Sequence, residues 1–235
     1  TNGSLLDPTR AARWKAAGLT RLTFSLDTLR EDRMTSITRS KTRVSDVLRS
    51  IDIAADSGLA RSKINVVAMR GLNEDEFADF ADLARERDLD IRFIEFMPLD
   101  SGRSWNPGRV VSESEIIESI EQRHGLEQRD SQNLHSTSRD YHFKDGAPGR
   151  IGVIASVTRP FCGACNRLRV TAEGAVRPCL FSNTEWDIRP LLRSGGSHDD
   201  IVRFLVDSVW TKQAGHGIGR DDFKQPDRGM SAIGG

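Results

Sequence analysis

Only three cysteines occur among the 235 residues. An odd number with a close pair among them does not suit an extracellular disulfide framework and points to a reducing compartment. Net charge is missing too: 34 basic and 34 acidic side chains cancel, which removes the global field expected of a nucleic-acid or membrane binder. Aromatics make up 6% of the chain, few for stacking single-stranded bases. No apolar run reaches transmembrane length, and Thr1-Asn2-Gly3 is neither an initiator Met nor the start of a signal peptide. The expectation is a cytoplasmic protein with no nucleic-acid and no membrane partner, present here as the downstream part of a longer chain. Its length can bury one large core or two modest ones.

The first hundred residues alternate helix and strand. Asp7-Pro8 reads as a helix start and Gly18 as a stop. Leu22, Phe24 and Leu26 alternate with Thr23, Ser25 and Asp27 as a strand, and Ile64, Val66 and Ala68 alternate with Lys63, Asn65 and Val67 as a second. Between them Val44, Val47, Leu48, Ile51, Ala54 and Ala55 form a helical stripe. Asn73 with Glu76 resembles a capping box ahead of a helix bearing Phe77, Phe80, Ala81 and Ala84. A third strand is expected over 91–96, where Arg92 and Glu95 fall on opposite parities and leave its faces unassigned. This rhythm implies βα units and a parallel sheet. Thr23, Ser25, Asp27, Lys63 and Asn65 share one polar parity, which suits a lumen that binds a polar ligand better than a dry interior. Beyond Pro98, Ser112 with Glu115 and Ser197 with Asp200 read as capping boxes, and strands are expected at 141–143 and 151–157.

The chemistry concentrates in Cys162-Gly163-Ala164-Cys165 and, after thirteen intervening residues, Cys179. Two intervening residues let both thiolates of a loop reach one metal centre, and a hairpin around Ala172-Glu173-Gly174 would return Cys179 beside Cys165. Three ligands leave a valence open. By spacing alone, zinc completed by His142 or His216 and an iron–sulfur cluster stand equally, and a group of buried thiols is the bland reading. Arg167 and Arg169 favour the cluster, because two guanidiniums on one strand face suit phosphate or carboxylate. Ordinary surface ion pairs are the alternative for them. Arg177 has a weaker claim.

Phe161-Cys162-Gly163-Ala164-Cys165-Asn166-Arg167-Leu168-Arg169, continued by Arg177-Pro178-Cys179-Leu180-Phe181-Ser182, closely resembles the molybdenum cofactor biosynthesis protein A family, the radical S-adenosylmethionine GTP 3′,8-cyclases. The likeness extends through Phe24-Ser25-Leu26-Asp27-Thr28-Leu29, Lys63-Ile64-Asn65-Val66-Val67, Arg92-Phe93-Ile94-Glu95-Phe96-Met97-Pro98, Arg150-Ile151-Gly152, Asp187-Ile188-Arg189-Pro190-Leu191-Leu192 and Met230-Ser231-Ala232-Ile233-Gly234-Gly235. It therefore covers essentially the whole chain. The family's N-terminal CxxxCxxC motif and GGEP-like segment are not in this sequence.

The resemblance implies an α/β fold: the C-terminal half of an incomplete (βα)6 radical-SAM barrel over residues 1–98, holding strands four to six, then an α+β cluster-binding region over 99–235. It implies a [4Fe-4S] cluster on Cys162, Cys165 and Cys179, with an open iron that meets the guanine of GTP. GTP contacts carry over to Thr1, Lys63, Arg167, Leu168 and Arg169, with Arg92 as a further candidate, and contacts to S-adenosylmethionine to Ser25 and Met97. Taken by themselves, Lys63 is a strand-end lysine, Ser25 a small polar strand residue, Met97 core filler and Gly234-Gly235 a frayed end. In the full-length enzyme a second [4Fe-4S] cluster cleaves S-adenosylmethionine, and the radical closes the ribose 3′ carbon of GTP onto C8. The product, 3′,8-cyclo-7,8-dihydro-GTP, passes to a cyclic pyranopterin monophosphate synthase, and a homodimer is compatible with the family. By this reading the chain alone is inactive. Two other readings remain: a different radical S-adenosylmethionine enzyme with an auxiliary cluster, and a zinc-stapled nucleic-acid-binding module.

Overall fold

A computed structural model describes residues 1–100, 102–130 and 133–233, with the side chains of Ala60 and Ser231 left aside. The chain forms two compact units, one of Thr1–Phe96 with Gly108–Thr158, the other of Met97–Pro107 with Arg159–Gly235. Compactness thus divides the chain differently from the expected boundary at 98.

The first unit runs α1 (Pro8–Ala16), β1 (Arg21–Ser25), α2 (Glu31–Thr38), α3 (Val44–Asp56), β2 (Ala60–Ala68), α4 (Phe77–Arg87), β3 (Asp90–Glu95), α5 (Glu113–Glu121), β4 (Leu126–Arg129), β5 (Arg139–Phe143) and β6 (Arg150–Ile154). Its sheet has the order β1-β2-β3-β6-β5-β4. The first four strands in that order are parallel, and β5 and β4 continue it antiparallel. The expected strands are present, but residues 139–154 belong to this sheet rather than to a separate cluster region. Alternation marks a strand without naming its partner. Here Arg150 pairs with Asp90 through two 2.6 Å hydrogen bonds beside the β3–β6 register.

The apolar parity packs as expected. Phe24, Ile64, Val66, Ile91, Phe93, Ile151 and Val153 are buried with Val47, Ile51, Phe77, Phe80, Ile116 and Ile120 from α3, α4 and α5. Phe93 meets Phe77 and Phe80 edge-on at 5.0 and 5.9 Å. The third strand's mixed parity has a physical cause. Glu95 lies fully buried on the apolar side because its carboxylate accepts from the backbone N–H of Val157 at 2.7 Å and of Thr158 at 2.8 Å, and from the Thr158 hydroxyl. The capping box at Asn73 and Glu76 does not form; no side-chain cap opens α4. Asn73 instead donates to Asp27 O at 2.6 Å and Val67 O at 2.9 Å, while Glu76 accepts from Thr28 Oγ1, Leu29 N and Arg33. Both residues tie strand exits to the helix start: Met69 N already donates to Asn73 Oδ1 at 2.9 Å, and the donors on Glu76 outcompete the local cap. The boxes at Ser112–Glu115 and Ser197–Asp200 form as expected.

The second unit holds a three-stranded sheet of β7 (Arg169–Val170), β8 (Ala175–Arg177) and β9 (Trp186–Asp187), then α6 (Arg189–Arg193) and α7 (His198–Trp210). Leu99, Phe181 and Ile233 form its small core, with Met97, Cys179, Leu180, Ile218, Phe223 and Met230 packed against them. Met230 N donates to Leu99 O at 3.0 Å, so the chain is docked up to Ile233. Gly234 and Gly235, singled out in the sequence, lie outside the described residues.

Candidate functional site

In the first unit the strand register gathers the polar parity into two rows. One runs Thr23, Lys63, Asp90 and Arg150; the other runs Ser25, Asn65, Arg92, Gly152, Asp140 and Arg129. Thr1 lies alongside: its N donates to Thr23 O at 3.0 Å, and Ser25 N donates to Thr1 O at 2.9 Å, covering part of the free edge of β1. Thr1, Ser25, Lys63 and Arg92 are therefore brought to one region.

The charges there are not fully matched. Asp90, buried, is held by both Arg150 bonds, leaving Lys63 Nζ at 3.9 Å. Burial and the neighbouring Arg92 push the Lys63 ammonium below the usual lysine range, against the pull of Asp90. Burial likewise lowers Arg92, although Asp140 and Asp90 favour its charge. Asn65 Oδ1 is buried and accepts no hydrogen bond among the described residues. A buried acceptor with no such partner beside desolvated cations leaves this region polar and incompletely paired.

In the second unit Cys162 begins a short 3-10 turn (Cys162–Ala164), and Cys165 N closes it onto Cys162 O at 3.2 Å. The β7–β8 hairpin turns at Gly174, φ +82°, and pairs Arg169 with Arg177. The expected hairpin is there, though β7 begins only at Arg169, so Arg167 precedes the strand. All three cysteines are free and half-buried. Among the described residues no three His, Cys, Asp or Glu side chains converge closely enough to hold a single metal ion. The donor set still fits a thiolate-ligated cluster. Burial pushes the Cys165 thiol up, but the Arg167 backbone N–H and guanidinium, with Lys212, outweigh it and bring the group down to about 7. Metal ligation needs thiolate, the form that these neighbours favour at Cys165.

Arg167 Nε lies 3.4 Å from Cys165 Sγ, and its guanidinium sits 5.0 Å over the Phe161 ring. Arg169 is lowered by burial and by Arg167, with Cys165 and Cys179 pulling the other way, so it lies within the field of both thiols. Leu168 between them is 36% exposed. Arg177 is buried and serves structure: it pairs with Glu185 and donates to Ser182 O. His216 Nδ1 accepts from Ile218 N at 3.0 Å and its ring packs on Phe181, whereas His142 lies on β5 of the first unit. Met97 packs in the second unit's small core. Lys212 was not legible in the sequence, because 47 residues separate it from the Cys165 atoms it contacts.

The family description "Radical SAM superfamily" matches residues 1–84, and "Molybdenum Cofactor Synthesis C" matches residues 89–218. A protein of Streptomyces coelicolor named GTP 3′,8-cyclase is 46% identical over all of this chain, which covers 68% of that protein. One so named from Rhodopirellula baltica is 42% identical, again over all of this chain and 66% of the relative. One from Desulforamulus reducens is 38% identical over all of this chain and 71% of the relative. The chain thus spans about two thirds of the length of these relatives. No helix among the described residues is long and apolar enough to cross a membrane. With family matches to both parts of the chain and relatives aligned along its full length, it belongs to the radical S-adenosylmethionine family of molybdenum cofactor biosynthesis.

Proposed function

We propose that this chain is the substrate-binding portion of a GTP 3′,8-cyclase, with the parallel strands β1–β3 as strands four to six of a (βα)6 barrel and the polar parity as its lumen. The observation that carries the reading is the pair of desolvated cations, Lys63 and Arg92: Asp90, which favours both charges, is held by Arg150, and Asp140 is left to favour Arg92. A polyanion such as a triphosphate relieves that imbalance. Thr1, Lys63, Arg167, Leu168 and Arg169 contact GTP; Ser25 and Met97 contact S-adenosylmethionine. Cys162, Cys165 and Cys179 would hold the auxiliary [4Fe-4S] cluster, which when bound supplies an open iron as a Lewis acid for the guanine edge. Around it Arg167 and Arg169 hold phosphate oxygens with planar, multiply donating guanidiniums. The S-adenosylmethionine-cleaving cluster is held by residues outside this sequence, so the chain alone is inactive. The product goes to a cyclic pyranopterin monophosphate synthase, and a homodimer suits the reading.

The test is GTP binding by calorimetry to anaerobically reconstituted protein, with Lys63→Met, Arg167→Ala and Arg169→Ala. Losing one charge-assisted hydrogen bond costs about 1.5–3 kcal/mol, so each variant should bind roughly 10- to 100-fold more weakly. Unchanged affinity in all three would remove them from the triphosphate site. Stoichiometric zinc without iron or sulfide would sink the cluster assignment.

A further inference from the structure

Residues 165–168, which carry Cys165 and Arg167, lie in no helix or strand, and beyond the bond from Cys165 N to Cys162 O a side chain helps to fix their course. It does so from the end of α7. Lys212 follows the helix, its backbone N donating to Val209 O at 2.9 Å, while Thr211 Oγ1 donates to Ser208 O at 2.6 Å. Its Nζ lies 2.8 Å from Cys165 O, 3.2 Å from Arg167 O and 3.3 Å from Cys165 Sγ. An ammonium has three protons and no acceptor. Here three acceptors stand around it, two backbone carbonyls and one sulfur.

Neither carbonyl contact needs a metal, but the sulfur contact has little purpose if Cys165 is merely packed. Hydrogen bonds and positive charge at a ligating thiolate draw electron density from a cluster and favour its reduced form. We propose that Lys212 is a positioning residue for the auxiliary cluster, clamping the Cys165–Arg167 segment and raising the reduction potential of the cluster through its contact with the Cys165 sulfur. This rests on the cluster assignment above and extends it to a residue outside the cysteine segment. Lys212 acts through Cys165 and the backbone around it. Arg167 also reaches this sulfur, at 3.4 Å, but with one guanidinium nitrogen and no carbonyl contact of the same kind. The two cations therefore divide their work: Arg167 remains available to an anion, and Lys212 is committed to the loop.

Lys212→Met keeps the stem and removes the ammonium; Lys212→Arg keeps the charge but replaces a three-pronged donor with a planar fork. Both would be studied in the anaerobically reconstituted, cluster-loaded protein. The readouts are iron and sulfide per chain, iron release to a chelator, and the cluster midpoint from a redox titration followed by electron paramagnetic resonance. Outer contacts of a metal site typically contribute about 10- to 100-fold in affinity. With that loss falling on dissociation, Lys212→Met should release iron at least about tenfold faster, and its midpoint should move to a more negative potential. Lys212→Arg should keep the midpoint near that of the unsubstituted protein while releasing iron at an intermediate rate. If Lys212→Met fails to load, the arginine variant decides through its midpoint, and a value shifted negative despite the retained charge would overturn the electrostatic role. A loaded Lys212→Met protein with unchanged release and midpoint would overturn the proposal outright. Failure of the unsubstituted protein to take up iron and sulfide would instead sink the cluster assignment, and this inference with it.

Discussion

Glu95→Ala should be among the most damaging single substitutions in the first unit, and Glu95→Gln should be mild. The Glu95 carboxylate is fully buried and accepts from two backbone N–H groups, at 2.7 and 2.8 Å, and from the Thr158 hydroxyl. Alanine removes every acceptor at once. The Thr158 hydroxyl can rotate toward another partner, but the two amides are fixed by the backbone. Both bonds are only partly buried, so each donor left unpaired costs toward the lower end of the roughly 1–3 kcal/mol of a buried one, which places Glu95→Ala at about 3 kcal/mol once the lost side-chain volume is included. In Glu95→Gln the amide oxygen can take the position of Oε2, which accepts both N–H groups, and the NH2 can donate to Thr158 Oγ1. Only the strengthening due to charge is lost, about 1 kcal/mol. Urea unfolding followed by far-ultraviolet circular dichroism measures both. Equal destabilisation by the two variants, or Glu95→Ala within about 1 kcal/mol of the parent, would refute the argument that unpaired amides dominate.

Two other substitutions test the frame of the first unit. Gly149 has φ +80°, and a Cβ there would collide with the Ala84 carbonyl; Gly149→Ala should lower the urea midpoint by an amount equivalent to roughly 3 kcal/mol or more. Glu115, hydrogen-bonded first by the Ser112 hydroxyl and backbone and then by Arg70, titrates near 2 when folded, against 4.5 ordinarily. Its folded value is depressed, so its contribution is complete above about pH 4.5 and disappears as pH falls toward 2. Glu115→Gln should therefore melt below the parent at neutral pH, by about 1 kcal/mol after allowance for solvent screening. That gap should close on acidification; a gap that persists at pH 2 would contradict the assignment.

How far the sequence could be read depended on the range of the interaction involved. Strand alternation at 22–26 and 63–68, and the caps at Ser112 and Ser197, follow from neighbours a few residues apart, and the structure has them. The Cys162, Cys165 and Cys179 segment was legible for the same reason, since its hairpin is local. Glu95, Asn73 and Glu76 escaped because their partners lie far along the chain, Glu76 to Thr28 spanning 48 residues and Glu95 to Thr158 spanning 63. Nothing in local composition says that a buried carboxylate will find two amides there. Arg177 shows the converse case. Beside Arg167 and Arg169 it looked like a third cation for a ligand, yet it is buried against Glu185 and a carbonyl. Lys212 required the structure altogether.

The second unit is assembled from two stretches of chain, 97–107 and 159–235, with the sheet residues 108–158 inserted between them. Its small core joins Leu99 from the first stretch to Ile233 at the far end of the second, and Met230 is tied to Leu99 by a backbone hydrogen bond. Closing so long a loop costs entropy that only the finished core returns. This core cannot be completed until residue 233 has been made, whereas every strand described in the first unit is in place by residue 154. Cys179 packs against that late core. The apolar setting of the third thiol thus depends on residues from both stretches, Leu99 and Ile233, and is completed only after the strands of the first unit have been made.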